Sequence, residues 1–423
     1  MAGLRDAVAS EALEANRAAS SLTDDAVAAV LVAAAALVRE RRAEILGANA
    51  ADYEAAEGKL DEGMLDRLKL DDKRVEALAE EVDAVAAIDP LEREIDSWTL
   101  PNGLQVSERR IPIGVVGANF EARPNVALDV AGQLLKSLNT AVLRTGGAAL
   151  RTVTVLVDDV LRPALEGAGL PPGAVGLVRS ADREGARVLV TMPERIPLVI
   201  LRGSGQTTAE LARLAAEHGV RTLAHAEGGG VLYVHSEADR DRALAMTEAT
   251  LDRLGVCNRL NLALVDRAAA PLLPDLLAIF AEKDLDVRGT KRAIEVAGDG
   301  VLPHDRDRLG YEWANEAERV ATVTLDVVDD LDDALRIANE ETSGLAAGIV
   351  TENEEAANRF LDGYRGTAAF WHASTRFTDG FALTGSPETG INVDNVPGPR
   401  GPVTYRDLWL RQYRVVGDGT QTR

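Results

Sequence analysis

A nucleophile has to be looked for first among the residues that attack carbonyl carbon, and a thiolate is the most reactive of these near neutral pH. The chain holds one cysteine, Cys257, in the stretch LDRLGVCNRLNLALV, residues 251–265. A lone cysteine is most often a small buried apolar side chain. Here Asn258 and Arg259 follow it, in a turn between a helical pattern and the apolar run RLNLALV. A loop that enters a buried strand can present a thiol to a cleft. Activity would need a lowered thiol pKa or a neighbouring base. His225, in LAHAEGGG, is the candidate, because the glycines after it mark a loop at a strand end. The competing reading is a polar strand-end histidine.

A second group of residues suits a nucleotide. In LVILRGSGQTTAEL, Gly203, Ser204 and Gly205 lie between a strand pattern and a helix pattern. Glycines there let a backbone approach a ligand, and free amides at a helix start attract phosphate. An ordinary βα turn reads the same way. The strand TAVLR ends in Arg144, with Thr145, Gly146 and Gly147 after it. An acidic residue near such a point binds a ribose hydroxyl, whereas an arginine suits a 2′-phosphate. If a dinucleotide binds, NADP is therefore favoured over NAD. No G-x-G-x-x-G follows the first strand.

The elements that must position these residues alternate. A helix is expected over residues 23–47, capped by Thr23, with Val27, Val30, Leu31, Ala34, Leu37 and Val38 at helical spacing. A Pro-Asn-Gly turn predicts a hairpin over 97–110, leading into a strand over 111–118. Helix and strand patterns then alternate to residue 218, and a second βα series begins at GVLYVH and runs to GTAAFW. Continuous apolar strands separated by helices imply parallel sheets covered on both faces, an α/β fold of two doubly wound domains. The tail RDLWLRQYRVVGDG reads as one more strand, pairing with the 97–110 hairpin.

With 423 residues the chain exceeds one ordinary core, so more than one domain is expected. The net charge is −22, which disfavours binding to nucleic-acid phosphates. Acidic runs such as DVVDDLDDAL suggest a well-solvated surface, or adaptation to high salt, where self-repulsion is screened. One cysteine excludes an internal disulfide framework and fits a reducing cytoplasm. No signal peptide is visible, and the longest apolar run, residues 26–38, is too short for a bilayer. A homo-oligomer is expected from the hairpin segments, and no metal site is expected.

The motifs IPIGVVGANFEARPNV, RGS at 202–204, GVCN at 255–258, YEW at 311–313, SGLAAGIVT and ASTRFTDG occur in an order that resembles the gamma-glutamyl phosphate reductases of the aldehyde dehydrogenase superfamily. That resemblance implies a cofactor domain over 1–96 and 111–235 and a catalytic domain over 236–372. It also implies an oligomerisation hairpin over 97–110 and 405–416, and a site-side segment over 373–404. It implies NADPH-dependent reduction of L-glutamyl 5-phosphate to glutamate 5-semialdehyde, the second step of proline synthesis, with channelling from glutamate 5-kinase as a partner. Cys257 then matches the nucleophile and Asn125 the oxyanion donor. Arg144, Gly146, Gly203, Ser204 and Glu312 fall at cofactor positions. Arg123, Arg376 and His225 face substrate, the arginines alternatively pairing with the chain's own carboxylates. His225 stands near the glutamate base of oxidising relatives, and a reductive route through a thioester wants no such base. Arg259, Asn261 and Ala314 depart from the family pattern, which has a small residue, a glutamate and a glycine there. Two other readings are an oxidising aldehyde dehydrogenase and a non-catalytic binding module.

Overall fold

A computed structural model of the chain describes residues 2–60, 62–203, 205–225, 228–298, 300–315, 320–394 and 398–421. Strands β1 (Glu94–Thr99) and β2 (Gln105–Pro112) form an antiparallel hairpin. Next come β3 (Val115–Phe120), β4 (Thr140–Thr145), β5 (Val175–Leu177), β6 (Leu198–Arg202) and β7 (Arg221–His225). They make a parallel five-stranded sheet in the order β5-β4-β3-β6-β7. Alternation along its strands serves two cores. Val116, Ala118 and Phe120 face the helices Asp24–Glu40, Asp72–Ala87 and Val126–Lys136. Val115, Val142, Val199 and Leu201 face the helices Ala2–Ala19 and Gly205–Glu217. The first of these helices carries Val8, Ala12 and Ala15 at helical spacing.

The helix expected over 23–47 is two helices, Asp24–Glu40 and Arg42–Ala56. Thr23 caps the first, accepting from the Ala26 amide at 3.3 Å. Arg41 closes it, and nothing in the apolar spacing marks that break. The strand expected over 111–118 is interrupted at Gly114, whose φ of 111° only glycine adopts readily. The chain there leaves the hairpin for the buried sheet.

A second parallel sheet follows from β8 (Gly230–Val234), β9 (Leu260–Asp266), β10 (Asp286–Gly289), β11 (Leu302–Pro303), β12 (Thr322–Val328), β13 (Ala346–Val350) and β14 (Ala368–Trp371). Its order is β11-β10-β12-β9-β8-β13-β14. The boundary expected at 235 falls one strand late, because β8 pairs with β9 and β13 and belongs to this sheet. A short antiparallel pair, β15 (Gly390–Asn392) and β16 (Gly401–Val403), packs beside β7. Finally β17 (Trp409–Val416) returns to pair with β2, completing a three-stranded sheet with the hairpin. No described helix is long and apolar enough to cross a membrane.

Two features of this topology place the site. In the first sheet the chain winds from β3 through β4 to β5, then crosses back to β6 on the other side of β3. Ligands of open α/β sheets bind beyond the strand carboxyl ends at such a reversal. Then β7 ends at residue 225 and β8 begins at 230. The carboxyl end of one sheet is thereby joined to the amino end of the next, where the chain enters β9 through Cys257.

Candidate active site

Cys257 lies in the loop between the helix Arg240–Thr250 and β9. Two glycines seat it against the start of β8. The Gly229 amide donates to the Cys257 carbonyl at 2.6 Å, and the Gly230 amide to the Arg259 carbonyl at 2.8 Å. Gly228 must be glycine, because a Cβ there would stand 2.5 Å from the Cys257 Cβ and 2.8 Å from its carbonyl oxygen. The segment 374–378 clamps the other side. The Asn258 amide group donates to the carbonyls of Arg376 and Thr378, and Thr375 Oγ1 donates to the Asn258 carbonyl at 2.8 Å.

Arg376 is occupied by this clamp. Its guanidinium donates to Asp252 at 2.6 Å and to the Asn258 side chain. Of the two roles open to it in the sequence, the structure shows pairing with the chain's own groups. Arg376 thus holds the loop that carries the thiol.

Arg123 is differently placed. It follows Ala122, held at φ 43° beyond β3, a left-handed conformation that costs an alanine about 1 kcal/mol. Burial lowers its guanidinium to about 10, with Arg202, Arg67 and Arg253 lowering it further and Cys257 acting in the opposite sense. Arg123 and Arg202 thus act on the thiol, and Arg67 and Arg253 act on Arg123 in turn, in a chain of net charge −22. Only Arg123 stood out in the sequence. Arg67 comes from an N-terminal helix and donates to the Gly255 carbonyl at 3.3 Å, while Arg202 ends β6. Nothing in local spacing unites residues 67, 123, 202 and 253.

The thiol itself is pushed up to about 12, first by burial and then by Glu312, while Arg123 and Arg202 pull it down. Glu312 had been assigned to the cofactor. The structure places its carboxylate at the nucleophile loop, accepting from the Gly228 amide at 2.6 Å, with Oε1 2.8 Å from where a Gly228 Cβ would stand. A carboxylate thus stands by the thiol, where the sequence reading wanted none.

Asn125 is engaged within its own helix start. Its Nδ2 donates to Asp129, one helical turn on, at 3.1 Å. Asp129 is held well above the usual carboxylate range, first by burial and then by Glu81. His225 ends β7 opposite Arg202, and its side chain lies outside the described residues, as does Ser204.

The remaining cofactor candidates gather at the reversal point. Gly203 follows β6, and a Cβ on it would stand 3.3 Å from the Glu121 carboxyl carbon. Gly146 follows β4, its amide bonded to the Phe120 carbonyl. Beneath them Arg144 is buried, donating to Asn119 Oδ1 at 3.1 Å and to the Asp182 carbonyl at 2.9 Å. Its Nε is buried without a hydrogen-bond partner. Arg183, exposed, lies close enough to act on its charge. Small residues at a strand reversal, a thirteen-residue helix beginning at Gly205 and paired guanidinium groups fit an anionic dinucleotide. Among the described residues no cluster of side chains could hold a metal ion.

The aldehyde dehydrogenase family model matches residues 4–273 and 320–399. The chain belongs to the aldehyde dehydrogenase family. It is 36% identical over 414 residues to the gamma-glutamyl phosphate reductase of Erythrobacter litoralis, covering 97% of this chain and 96% of that one. It is 34% identical to that of Halothermothrix orenii, covering 97% of each. The crystal structure of the Thermotoga maritima gamma-glutamyl phosphate reductase superposes with a TM-score of 0.90 at 29% identity, covering 99% of this chain and 100% of that one. Within the family the chain groups with these reductases and is an oxidoreductase. The family and the reductase names imply a nicotinamide cofactor.

Proposed function

We propose that the chain reduces L-glutamyl 5-phosphate to glutamate 5-semialdehyde and phosphate with NADPH, the second step of proline synthesis from glutamate. The observation that carries this reading is the placement of Arg123 and Arg202 to act on the one thiol, with Arg67 and Arg253 acting on Arg123 beside it. The substrate brings a phosphate and a carboxylate, and guanidinium groups bind both in bidentate fashion. An ordinary aldehyde would leave those charges without partners.

In this reading the Cys257 thiolate attacks the acyl carbon. The carbon–oxygen bond to phosphate breaks, phosphate departs with the electron pair, and a thioester remains on the sulfur. Arg123 and Arg202 stabilise the thiolate and the departing phosphate. A bound nicotinamide supplies the hydride that takes the thioester to the aldehyde level. Collapse of the thiohemiacetal then frees the aldehyde and returns the thiolate. Donors for the developing oxyanion are the Cys257 amide and Asn125, whose amide group must turn from Asp129 to reach it. Glu312, engaged with the Gly228 amide, is held from acting as a free base toward water, which keeps the thioester for reduction. Gly146, Gly203 and the helix start at Gly205 hold the cofactor's diphosphate. Arg144 and the exposed Arg183 meet the 2′-phosphate of NADP.

The test supplies glutamate semialdehyde with NADP, with and without phosphate. Phosphate-dependent formation of NADPH is the expected result. Phosphate-independent formation would make the chain an oxidising aldehyde dehydrogenase, and no turnover would remove both readings. The protein also works as a homo-oligomer in this proposal, because the three-stranded sheet exposes Trp98, Leu410, Tyr413, Val415 and Val416. Sedimentation should give more than the 45.0 kDa of one chain, and Tyr413→Glu should shift it toward the monomer.

A further inference from the structure

The entry to β9 carries Arg259 and Asn261, both buried, in a strand that is otherwise apolar up to Asp266. Buried polar side chains persist where they make hydrogen bonds, and those of Asn261 lead to the thiol. Its Nδ2 donates to the Tyr311 carbonyl at 2.7 Å, and its Oδ1 accepts from the Trp313 amide at 3.1 Å. These two backbone groups flank Glu312. The Glu312 carboxylate accepts from Gly228, and Gly228 is wedged against the Cys257 Cβ. One side chain, four residues beyond the cysteine, thus clamps the segment that brings a carboxylate to it. Arg259 supports the arrangement from within the core. Its Nη2 donates to the Thr322 carbonyl at 2.7 Å. Burial lowers its guanidinium to about 10, and Glu312 offsets part of that.

We propose that Asn261, supported by Arg259, is a positioning residue that fixes the Glu312 carboxylate at the Cys257 thiol and so restrains the thiol's reactivity. The proposal rests on the reading of Cys257 as the nucleophile and adds a restraint built from the polar residues that follow it. The charged groups acting on the thiol are Glu312 on the 311–313 segment, Glu388 before β15, Arg123 beyond β3 and Arg202 at the end of β6. Loosening Glu312 leaves the arginines to act with less opposition, and the thiolate forms more readily.

Because Cys257 is the only cysteine, alkylation of the whole protein by iodoacetamide reports on this thiol alone. At pH 8 the Asn261→Leu variant is expected to react about tenfold faster than wild type, one pKa unit of thiolate. Glu312→Gln should give a similar rise, and the double variant no further rise. The rate should climb with pH in every case. An unchanged rate in either single variant overturns the proposal. So does an equal acceleration by Asn261→Leu in the Glu312→Gln background, which would mean better access to the thiol and not release of Glu312. Should Asn261→Leu fail to fold, Asn261→Ser is held to the same outcomes. Turnover measured on Cys257→Ala tests the nucleophile separately, since alkylation requires no catalysis.

Discussion

Burial and Glu312 push the Cys257 thiol up to about 12 against the pull of Arg123 and Arg202, so it is protonated at neutral pH and a weak nucleophile. Cys257→Ala should abolish turnover while circular dichroism and cofactor binding stay near wild type. Residual activity above a few per cent (a barrier raised by only about 2 kcal/mol) would end the nucleophile assignment. The cofactor side makes a second residue-level prediction. Arg144 is spent on Asn119 and the Asp182 carbonyl, so removing it damages the sheet end as well as the site. Arg183 is exposed beside it and has no such duty. Arg183→Glu should raise the KM for NADPH about tenfold, one charge contact, and leave that for NADH nearly unchanged. Equal effects on both cofactors would detach Arg183 from the 2′-phosphate. Of the residues singled out in the sequence, Arg123 acts on the Cys257 thiol and Gly203 follows β6 at the sheet reversal. Asn125, Arg376 and Glu312 took other partners, because a side chain's partner depends on elements far away in the chain.

At the scale of elements, the site is a junction between two sheets. Gly228, Gly229 and Gly230 bring the start of β8 within hydrogen-bond distance of the cysteine loop. Gly228→Ala would press a methyl group into the backbone of Cys257 and against Glu312. The Cys257 contacts are its Cβ and carbonyl oxygen, which cannot swing aside as the Glu312 carboxylate can. The variant should lose about 1–3 kcal/mol of stability, the usual cost of overpacking, and most of its turnover. Thermal unfolding and kcat measured on one preparation would check both, and a variant with wild-type values would show that the junction has slack. The alternation of strands and helices was readable because a buried parallel strand is apolar throughout. The helix Ala2–Ala19, the break at Arg41 and the short strand β10 gave no comparable signal. Their limits are set by packing against the sheets.

For the whole molecule, the charge is the dominant fact. A net −22 repels itself, and salt screens that repulsion over about 10 Å at 0.1 M. Arginine–carboxylate networks such as Arg292 and Arg306 on the buried Asp326 offset it locally. Salt weakens exposed ion pairs too, so the two effects oppose each other, and the net charge should prevail. The Tm should therefore rise between 0.05 M and 1 M KCl. A Tm that falls with salt would show that the ion pairs outweigh the repulsion.

By itself the sequence determined the α/β class, the hairpin that joins the tail, the lone thiol and the glycines beside it. Each of these is local, written in apolar periodicity, turn residues or residue type. Only the tertiary structure decided that Arg123 and Arg202 act on the thiol, with Arg67 and Arg253 acting on Arg123. It also decided that Asn261 braces the carboxylate at the nucleophile. Those relations join residues from 50 to nearly 190 positions apart, and what brings them together is the burial of the cores and the passage of the chain between two sheets.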